Sequence, residues 1–315
     1  MRTDPVLACV WRSGLCESVH GGRIAVVDPD GAVDYAAGDV WEPIYPRSAT
    51  KLVQALTMLD RGLDLNDELL ALATASHSGE EFHVEGVERI LSGAGLTTAQ
   101  LLNTPDYPLE ETAFISWIQA GRQKSALVQN CSGKHAAMLR TCLRSGWPTE
   151  TYLEAGHPLQ QAITETMREL TGEDPGVGVD GCGAPAHAIS TVALARVFGR
   201  IAAAREGNAH RLGEAMRAFP EYVSGTRRWE QKLHRAVPGL ICKIGAEAVL
   251  GIGLPNGQGI AIKITDGCDR ALPVVAVEIL GELGIRSEDL TRIGSVPVLG
   301  HGKPVGEITC ELPGP

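Results

Sequence analysis

The chain has 315 residues, of which 44% are hydrophobic and 21% are charged, proportions that are typical of a globular protein. Its formal net charge of −10 argues against nucleic acid or an anionic membrane as the main partner, because both carry negative charge. No apolar run reaches the roughly 18 residues that a membrane-spanning helix needs, and residues 1–5 lack the pattern of an export signal. We therefore expect a cytoplasmic protein without a membrane partner.

The eight cysteines have neither a disulfide-framework spacing nor a C-x-x-C pair. In a reducing compartment most of them should be buried thiols. Cysteines that meet in the fold are then candidates for metal binding or for chemistry.

The first 40 residues predict strands. Residues 6–10 are a short apolar run, and residues 23–27 end at Asp28-Pro29-Asp30-Gly31, a hairpin turn from which residues 33–37 can return. The polar stretch 12–20 is interpreted as a turn, with a place in a functional site as the alternative.

From Ser48 to about residue 219 the pattern is helical. Pro46 suits a helix entry. The residues that then recur at three- and four-residue steps share one stripe, which should face a core: Ser48, Lys51, Leu52, Ala55, Leu56 and Leu59. Later breaks at 103–108 and 148–158, and a glycine-rich loop at 180–185, separate further helices.

From about residue 222 the pattern returns to strands. Residues 240–252 and 259–265 are joined by Pro255-Asn256-Gly257, which predicts a hairpin. Residues 272–283 predict a helix that Gly284 ends, and the tail over 296–312 reads as irregular or strand-like. We predict one α+β domain over residues 1–315, with a sheet subdomain (1–45 and 222–315), a mostly helical subdomain (46–221) and Ser48 at their seam, where ligands commonly bind.

Ser48 and Lys51 carry the first chemical hypothesis. Burial lowers the pKa of a lysine, and a neutral Lys51 could take the proton of the Ser48 hydroxyl and make it a nucleophile. Penicillin-recognising enzymes use the same Ser-x-x-Lys pattern. The alternative for an isolated pattern is a helix-capping serine followed by a lysine that reaches water.

Six motifs occur in a fixed order along nearly the whole chain: Arg12-Ser13-Gly14, Pro46-Arg47-Ser48-x-x-Lys51, Ser76-His77-x-Gly79-Glu80, Asn130-Cys131-Ser132-Gly133-Lys134-His135, Asp180-Gly181-Cys182-Gly183-x-Pro185 and Lys243-x-Gly245-Ala246-Glu247. Together they resemble the Rhizobium etli-type L-asparaginase family. The resemblance implies the fold of serine β-lactamases, transpeptidases and glutaminases: an antiparallel sheet made by the N- and C-terminal segments, flanked by helices and interrupted by a large helical insertion.

The resemblance also implies a reaction, the hydrolysis of L-asparagine to L-aspartate and ammonia through an acyl-enzyme. Ser48 would be the nucleophile and Lys51 its base, while Ser76 and Lys243 would form a second pair that relays protons. We favour Lys243 over Lys263 as the second lysine, because Lys243 precedes a glycine by two residues, as in the Lys-Thr-Gly motif of related enzymes.

Substrate and metal residues follow from the same resemblance. Arg47 would pair with the substrate carboxylate, and His135 and Asp180 would contribute to substrate binding or to the surroundings of the site. The site would hold zinc through three side chains, two of them thiolates that suit this metal: Cys131, Lys134 and Cys182. The alternative for the cysteines is a pair of buried thiols beside an active site.

Other functions fit parts of the same pattern. A glutaminase, a β-lactam hydrolase or a D-alanyl peptide hydrolase could use this scaffold, and a non-catalytic zinc or amino-acid sensor could retain the fold. Release of ammonia from asparagine separates these alternatives. A homodimer is expected because it is the commonest oligomer.

Overall fold

The computed structural model describes residues 4–314. They group into two compact units. We call residues 4–49, 189–203 and 232–314 the sheet unit, and residues 50–188 and 204–231 the helical unit. The predicted single domain over 1–315, with its own subdomain boundaries, stays a prediction.

The strands of the described residues run in chain order as follows: β1 Val6–Arg12, β2 Leu15–Val27, β3 Val33–Ala37, β4 Gly176–Val179, β5 Pro185–Ala188, β6 Ile241–Gly245, β7 Val249–Gly253, β8 Gly259–Ile264, β9 Pro297–Gly300 and β10 Lys303–Cys310. The sheet unit holds all of them except β4 and β5, in the order β6-β7-β8-β2-β1-β10-β9, with β3 also paired to β2. These pairs are antiparallel. β4 and β5 form a separate antiparallel hairpin in the helical unit.

The predicted α+β fold with an antiparallel sheet from the two ends of the chain is confirmed. β2 joins the strands of the N-terminal segment to those of the C-terminal segment. Ile24 of β2 lies opposite Ala37 of β3 on one side and Ile262 of β8 on the other. Its branched and small apolar side chains between Ile24 and Val27 are buried, as expected for the centre of a sheet.

Two local predictions in the sheet are wrong. The stretch 12–20 is mostly strand, since only Ser13 and Gly14 separate β1 from β2. Residues 240–252 are two antiparallel strands, β6 and β7, and not one. The chain reverses between them where Glu247 and Ala248 take positive φ angles of 60° and 53°, a backbone conformation that non-glycine residues seldom adopt and that their sequence does not announce.

The helices of the described residues are α1 Lys51–Asp60, α2 Asp67–Ala73, α3 Glu81–Ser92, α4 Glu111–Gln119, α5 Ser132–Ser145, α6 Pro158–Thr171, α7 Thr191–Ala203, α8 Gly207–Ala218, α9 Pro220–Val223, α10 Trp229–Ala236, α11 Leu272–Glu282 and α12 Glu288–Gly294. Short 3-10 helices occupy Arg47–Thr50, Thr98–Gln100 and Asp269–Ala271. Across residues 4–314, none of these helices combines the length and apolarity needed to cross a bilayer.

Helix α1 differs from its prediction in two ways. The chain after Pro46 first makes the 3-10 helix Arg47–Thr50, and the α-helix begins only at Lys51. The helix is also buried on every side from Lys51 to Leu59, and not along one stripe. Gln54 and Thr57 lie outside the predicted stripe and are polar, yet both are buried. Within the helical unit α1 packs against α5, α6 and α8, which explains why no face is left to solvent.

Helix α7 belongs to the sheet unit, where it packs on β2, β7 and β8. Glycines make this close packing possible. A side chain at Gly259 would place its Cβ 1.9 Å from the Ala195 carbonyl oxygen, and one at Gly253 would meet the Phe198 carbonyl oxygen at 2.2 Å. The helix backbone therefore lies directly on the strands.

Candidate active site

Lys51 is a buried lysine in the first turn of α1, within the helical unit. Its side chain is 1% exposed, and Nζ lies within hydrogen-bond distance of the Ala75 carbonyl oxygen, of Ser76 Oγ at 3.0 Å and of Cys131 Sγ at 3.2 Å. Burial lowers the pKa of Lys51 and outweighs the opposing effect of Cys131. The amine is thus placed beside a serine hydroxyl in surroundings that favour its uncharged form.

Ser76 is held in an extended segment that follows α2. Its N–H donates to the Val223 carbonyl oxygen at 3.2 Å, and the next residue, His77, donates its N–H to the Asn130 carbonyl oxygen at 3.0 Å. His77 Nε2 also contacts Ser132 Oγ at 2.8 Å. Backbone bonds on both sides therefore fix the Ser76 hydroxyl against Lys51.

Cys131 is the N-cap residue of α5, where the positive end of the helix dipole favours a thiolate. A hydrogen bond from Cys182 and the charges of Lys51 and Lys134 outweigh burial and hold the pKa of Cys131 well below its usual range. The same hydrogen bond and burial raise the pKa of Cys182. These opposite shifts, together with the helix N-terminus, favour the thiolate on Cys131, with Cys182 as its hydrogen-bond donor.

Lys134 supplies the balancing positive charge. Its Nζ lies 3.2 Å from Cys182 Sγ. Burial opposes its charged form, but Cys182, Cys131 and Asp180 outweigh burial and raise its pKa. One cation on Lys134 and one anion on Cys131 balance each other, and buried charges are tolerated when paired. A neutral Lys51 is compatible with this pairing, because burial lowers its pKa.

A zinc site formed by Cys131 and Cys182 would need Lys134 as a further ligand. Among residues 4–314, no group of three His, Cys, Asp or Glu side chains is placed to bind a metal ion. Cys131 and Cys182 do meet, with Lys134 beside them. Two sulfurs and one nitrogen suit zinc chemically, provided that Lys134 loses its proton on binding.

His135 and Asp180 lie next to this cluster. His135 is fully buried in the first turn of α5, and its Nδ1 is 2.9 Å from Tyr152 Oη. Asp180 begins the glycine-rich loop before β5; its Oδ1 accepts the N–H of Gly181 at 2.7 Å, and its charge acts on Lys134.

In the sheet unit, the segment that carries Ser48 lies against the strand that carries Lys243. A Cβ added at Gly245 of β6 would lie 2.0 Å from the Pro46 carbonyl oxygen and 3.2 Å from the Ala49 nitrogen. Only glycine permits that approach. Lys243 is buried, and its Nζ donates to the Ile244 carbonyl oxygen at 2.6 Å.

The sequence model of one protein family, L-asparaginase II, matches residues 8–310. The chain belongs to the L-asparaginase II family. The predicted family is therefore confirmed, and membership supports amidohydrolase activity.

Solved structures similar to this L-asparaginase II chain include a β-lactamase from Mycobacterium bovis, at 18% identity and a TM-score of 0.45, with 83% of this chain and 94% of that chain covered. A probable glutaminase has 15% identity, a TM-score of 0.40 and 78% of each chain covered. A protein described as Mglu has 16% identity and a TM-score of 0.46; the match covers 83% of this chain but only 63% of Mglu. No curated protein matches.

The helical unit of this family member brings together five of the predicted site residues: Lys51, Ser76, Cys131, Lys134 and Cys182. Ser48 and Lys243 belong to the sheet unit. The predicted pairs Ser48–Lys51 and Ser76–Lys243 each join residues of different units and stay predictions, as does the role of Arg47.

Lys263, the other candidate for the second catalytic lysine, lies in different surroundings from Lys243. It lies on β8 and is half-buried, and its Nζ donates to the carbonyl oxygens of Glu247 at 2.5 Å and Ile264 at 2.7 Å. Burial lowers its pKa. The preference for Lys243 stays a prediction.

Tyr152 was missed by the sequence interpretation, although its ring is fully buried and touches His135. It lies in the irregular stretch between α5 and α6 and belongs to none of the six motifs. No local pattern marks such a residue, because its importance comes from a partner 17 positions away.

A groove of about 710 Å³ lies elsewhere in the helical unit, lined by α3, α4 and charged residues such as Glu80, Arg122 and Arg227. Neither Lys51 nor Ser76 lines it. Its size therefore does not bear on the substrate of the candidate site.

Proposed function

We propose that the chain hydrolyses L-asparagine to L-aspartate and ammonia through an acyl-enzyme, with Ser48 as nucleophile and Lys51 as base. The observation that carries this proposal is the buried Lys51 amine, 3.0 Å from the Ser76 hydroxyl and without a carboxylate among its hydrogen-bond partners in residues 4–314. An uncharged amine next to hydroxyl groups is the arrangement that activates a serine. Membership of the L-asparaginase II family supports the reaction class.

In the first step Lys51 takes the proton of Ser48, and Ser48 Oγ attacks the carboxamide carbon of the substrate. The C–N bond breaks as the nitrogen receives a proton and leaves as ammonia. Because Ser76 Oγ lies 3.0 Å from Lys51 Nζ, we assign Ser76 to pass that proton onward, with Lys243 as its second partner. N–H groups of Ser48 and of the strand β6 would stabilise the oxyanion.

In the second step water attacks the ester carbon, and its proton goes to Lys51 while Ser48 regains its own. L-aspartate is released. Arg47 would hold the α-carboxylate of the substrate, and Asp180 would accept a hydrogen bond from its α-ammonium group. These roles agree with the charges that the side chains carry.

Comparing three compounds tests the proposal. Ammonia release is measured with L-asparagine and with L-glutamine, and hydrolysis is followed with nitrocefin. We expect kcat/KM for asparagine to exceed that for glutamine by at least about tenfold, since one additional methylene costs that much in a fitted site. Nitrocefin should stay intact. Glutamine as the better substrate would indicate a glutaminase, and ligand binding without ammonia release would indicate a sensor.

We further propose that Cys131, Lys134 and Cys182 hold zinc. The bound ion would supply a fixed positive charge that orders the cysteine loop and nearby substrate groups. Protein purified without chelator should contain about one zinc per chain by elemental analysis, and Cys182→Ser should lose most of it. Cys142→Ser is the matched control, because Cys142 is buried outside this cluster. Freshly purified protein without zinc would contradict this assignment.

A further inference from the structure

His135 has one ring nitrogen that the structure leaves without a partner. The side chain is completely buried. Nδ1 lies 2.9 Å from Tyr152 Oη, whereas Nε2 has no hydrogen-bond partner among the described residues. Buried polar atoms nearly always have partners, so this nitrogen indicates that something else binds there.

The neighbours of Tyr152 decide which nitrogen of His135 carries the hydrogen. The Leu102 N–H donates to Tyr152 Oη at 3.1 Å, so the tyrosine oxygen already accepts there. If its hydroxyl donates to His135 Nδ1, the neutral ring carries hydrogen on Nε2, and one donor stays unpaired. If Nδ1 carried hydrogen instead, in the neutral or the charged ring, the buried tyrosine hydroxyl and Nε2 would both lack partners. The first arrangement leaves fewer unpaired groups.

Two other buried histidines provide a comparison. His83 Nε2 donates to the Glu221 carbonyl oxygen at 2.9 Å. His187 Nε2 donates to Thr164 Oγ1 at 2.9 Å, because that hydroxyl gives its own hydrogen to a carbonyl oxygen one turn earlier. Each leaves only Nδ1 unpartnered, and there it is a lone pair. Of these three rings, His135 alone leaves an N–H group unused, which is the rarer and costlier case.

We propose that Tyr152 is a positioning residue that fixes His135 as an Nε2–H donor, and that this N–H donates to a carboxylate oxygen of the amino-acid substrate. Lys134 and Lys51 both lie close enough to His135 to act on it electrostatically. A donor beside the cationic Lys134 side chain suits an anionic group. The identity of the carboxylate rests on the proposed function, whereas the tautomer does not.

Nitrogen-15 NMR of histidine-labelled protein tests the tautomer directly. Long-range proton–nitrogen correlations should show His135 with hydrogen on Nε2 and a lone pair on Nδ1, with the signal assigned by its loss in His135→Gln. Tyr152→Phe should turn it into a mixture of tautomers. Hydrogen on Nδ1 in the unaltered protein, or an unchanged tautomer in Tyr152→Phe, would overturn the proposal. The first measurement stands even if the variant does not fold.

Ligand binding and kinetics test the second half. L-aspartate should shift the Nε2–H signal of His135, and an unmoved signal at saturation would refute the carboxylate contact. Tyr152→Phe should raise KM for asparagine by about tenfold and change kcat less than about threefold, whereas a purely structural role would lower kcat at constant KM. Tyr35→Phe, which removes a hydroxyl that donates to the Pro313 carbonyl oxygen, should behave like the parent. If no amide is hydrolysed, the proposed function fails while the NMR result still decides the tautomer.

Discussion

Replacing Ser48 with alanine is expected to lower kcat for asparagine by at least about 10⁴-fold. The change removes the oxygen that would form the acyl-enzyme, so no covalent route is left. Ser48 is half-buried in a 3-10 helix, and alanine fits there, so thermal unfolding should change little. Ammonia release and a melting curve measure the two effects. Near-normal hydrolysis by this variant would discard Ser48 as nucleophile.

Ser76→Ala is the informative companion, because the Ser76 hydroxyl lies 3.0 Å from Lys51 Nζ. As a proton relay, its loss should cost about 10²-fold in kcat. An asparagine analogue with a diazoketone in place of the carboxamide should alkylate the nucleophile. Peptide mapping by mass spectrometry should then find the adduct at Ser48, also in Ser76→Ala. An adduct on Ser76 would exchange the two roles.

Lys51→Met is expected to lower kcat by about 10³-fold with KM for asparagine changed less than about threefold. Methionine fills a similar buried volume but cannot accept a proton from a hydroxyl. The Ser76 hydroxyl and the Cys131 sulfur would both lose their contact with Nζ. Steady-state kinetics on variant protein of verified fold give the measurement. Unchanged kcat with a raised KM would show that Lys51 binds substrate and is not the base.

Lys124→Met is the matched control for this variant. Lys124 is exposed and pairs with Asp106 at 2.9 Å, and such surface ion pairs contribute little. Its kinetic constants should stay at parental values. Lys243→Met and Lys263→Met in the same assay decide between the two candidates for the second lysine, and we expect the larger loss from Lys243.

Several elements of the sheet unit could be predicted from short stretches of sequence. The turn Asp28-Pro29-Asp30-Gly31 and the strand-like runs beside it predicted the β2–β3 hairpin, which is present. Leu272–Glu282 is a helix, with Gly284 just beyond its end at a φ of 78°. Such features depend on neighbouring residues, so they can be read from a short stretch of chain.

The break between β6 and β7 shows where such reading fails. Glu247 and Ala248 adopt left-handed backbone angles that glycine would have signalled and these residues do not. Likewise, the all-round burial of α1 could not be predicted from its pattern, because polar Gln54 and Thr57 find room between packed helices.

The sequence by itself determined the family, the α+β order of elements and the residues that could do chemistry. Motifs and periodicity depend only on residues that are close together in the sequence. The tertiary structure alone decided which of those residues meet. Lys51 reaches Ser76 and Cys131, which are 25 and 80 positions away. His135 meets Tyr152, which the sequence did not mark, at 2.9 Å. Contacts of this kind come from the packing of α1 against α5 and its neighbours, and buried polar groups must find their partners wherever that packing brings them.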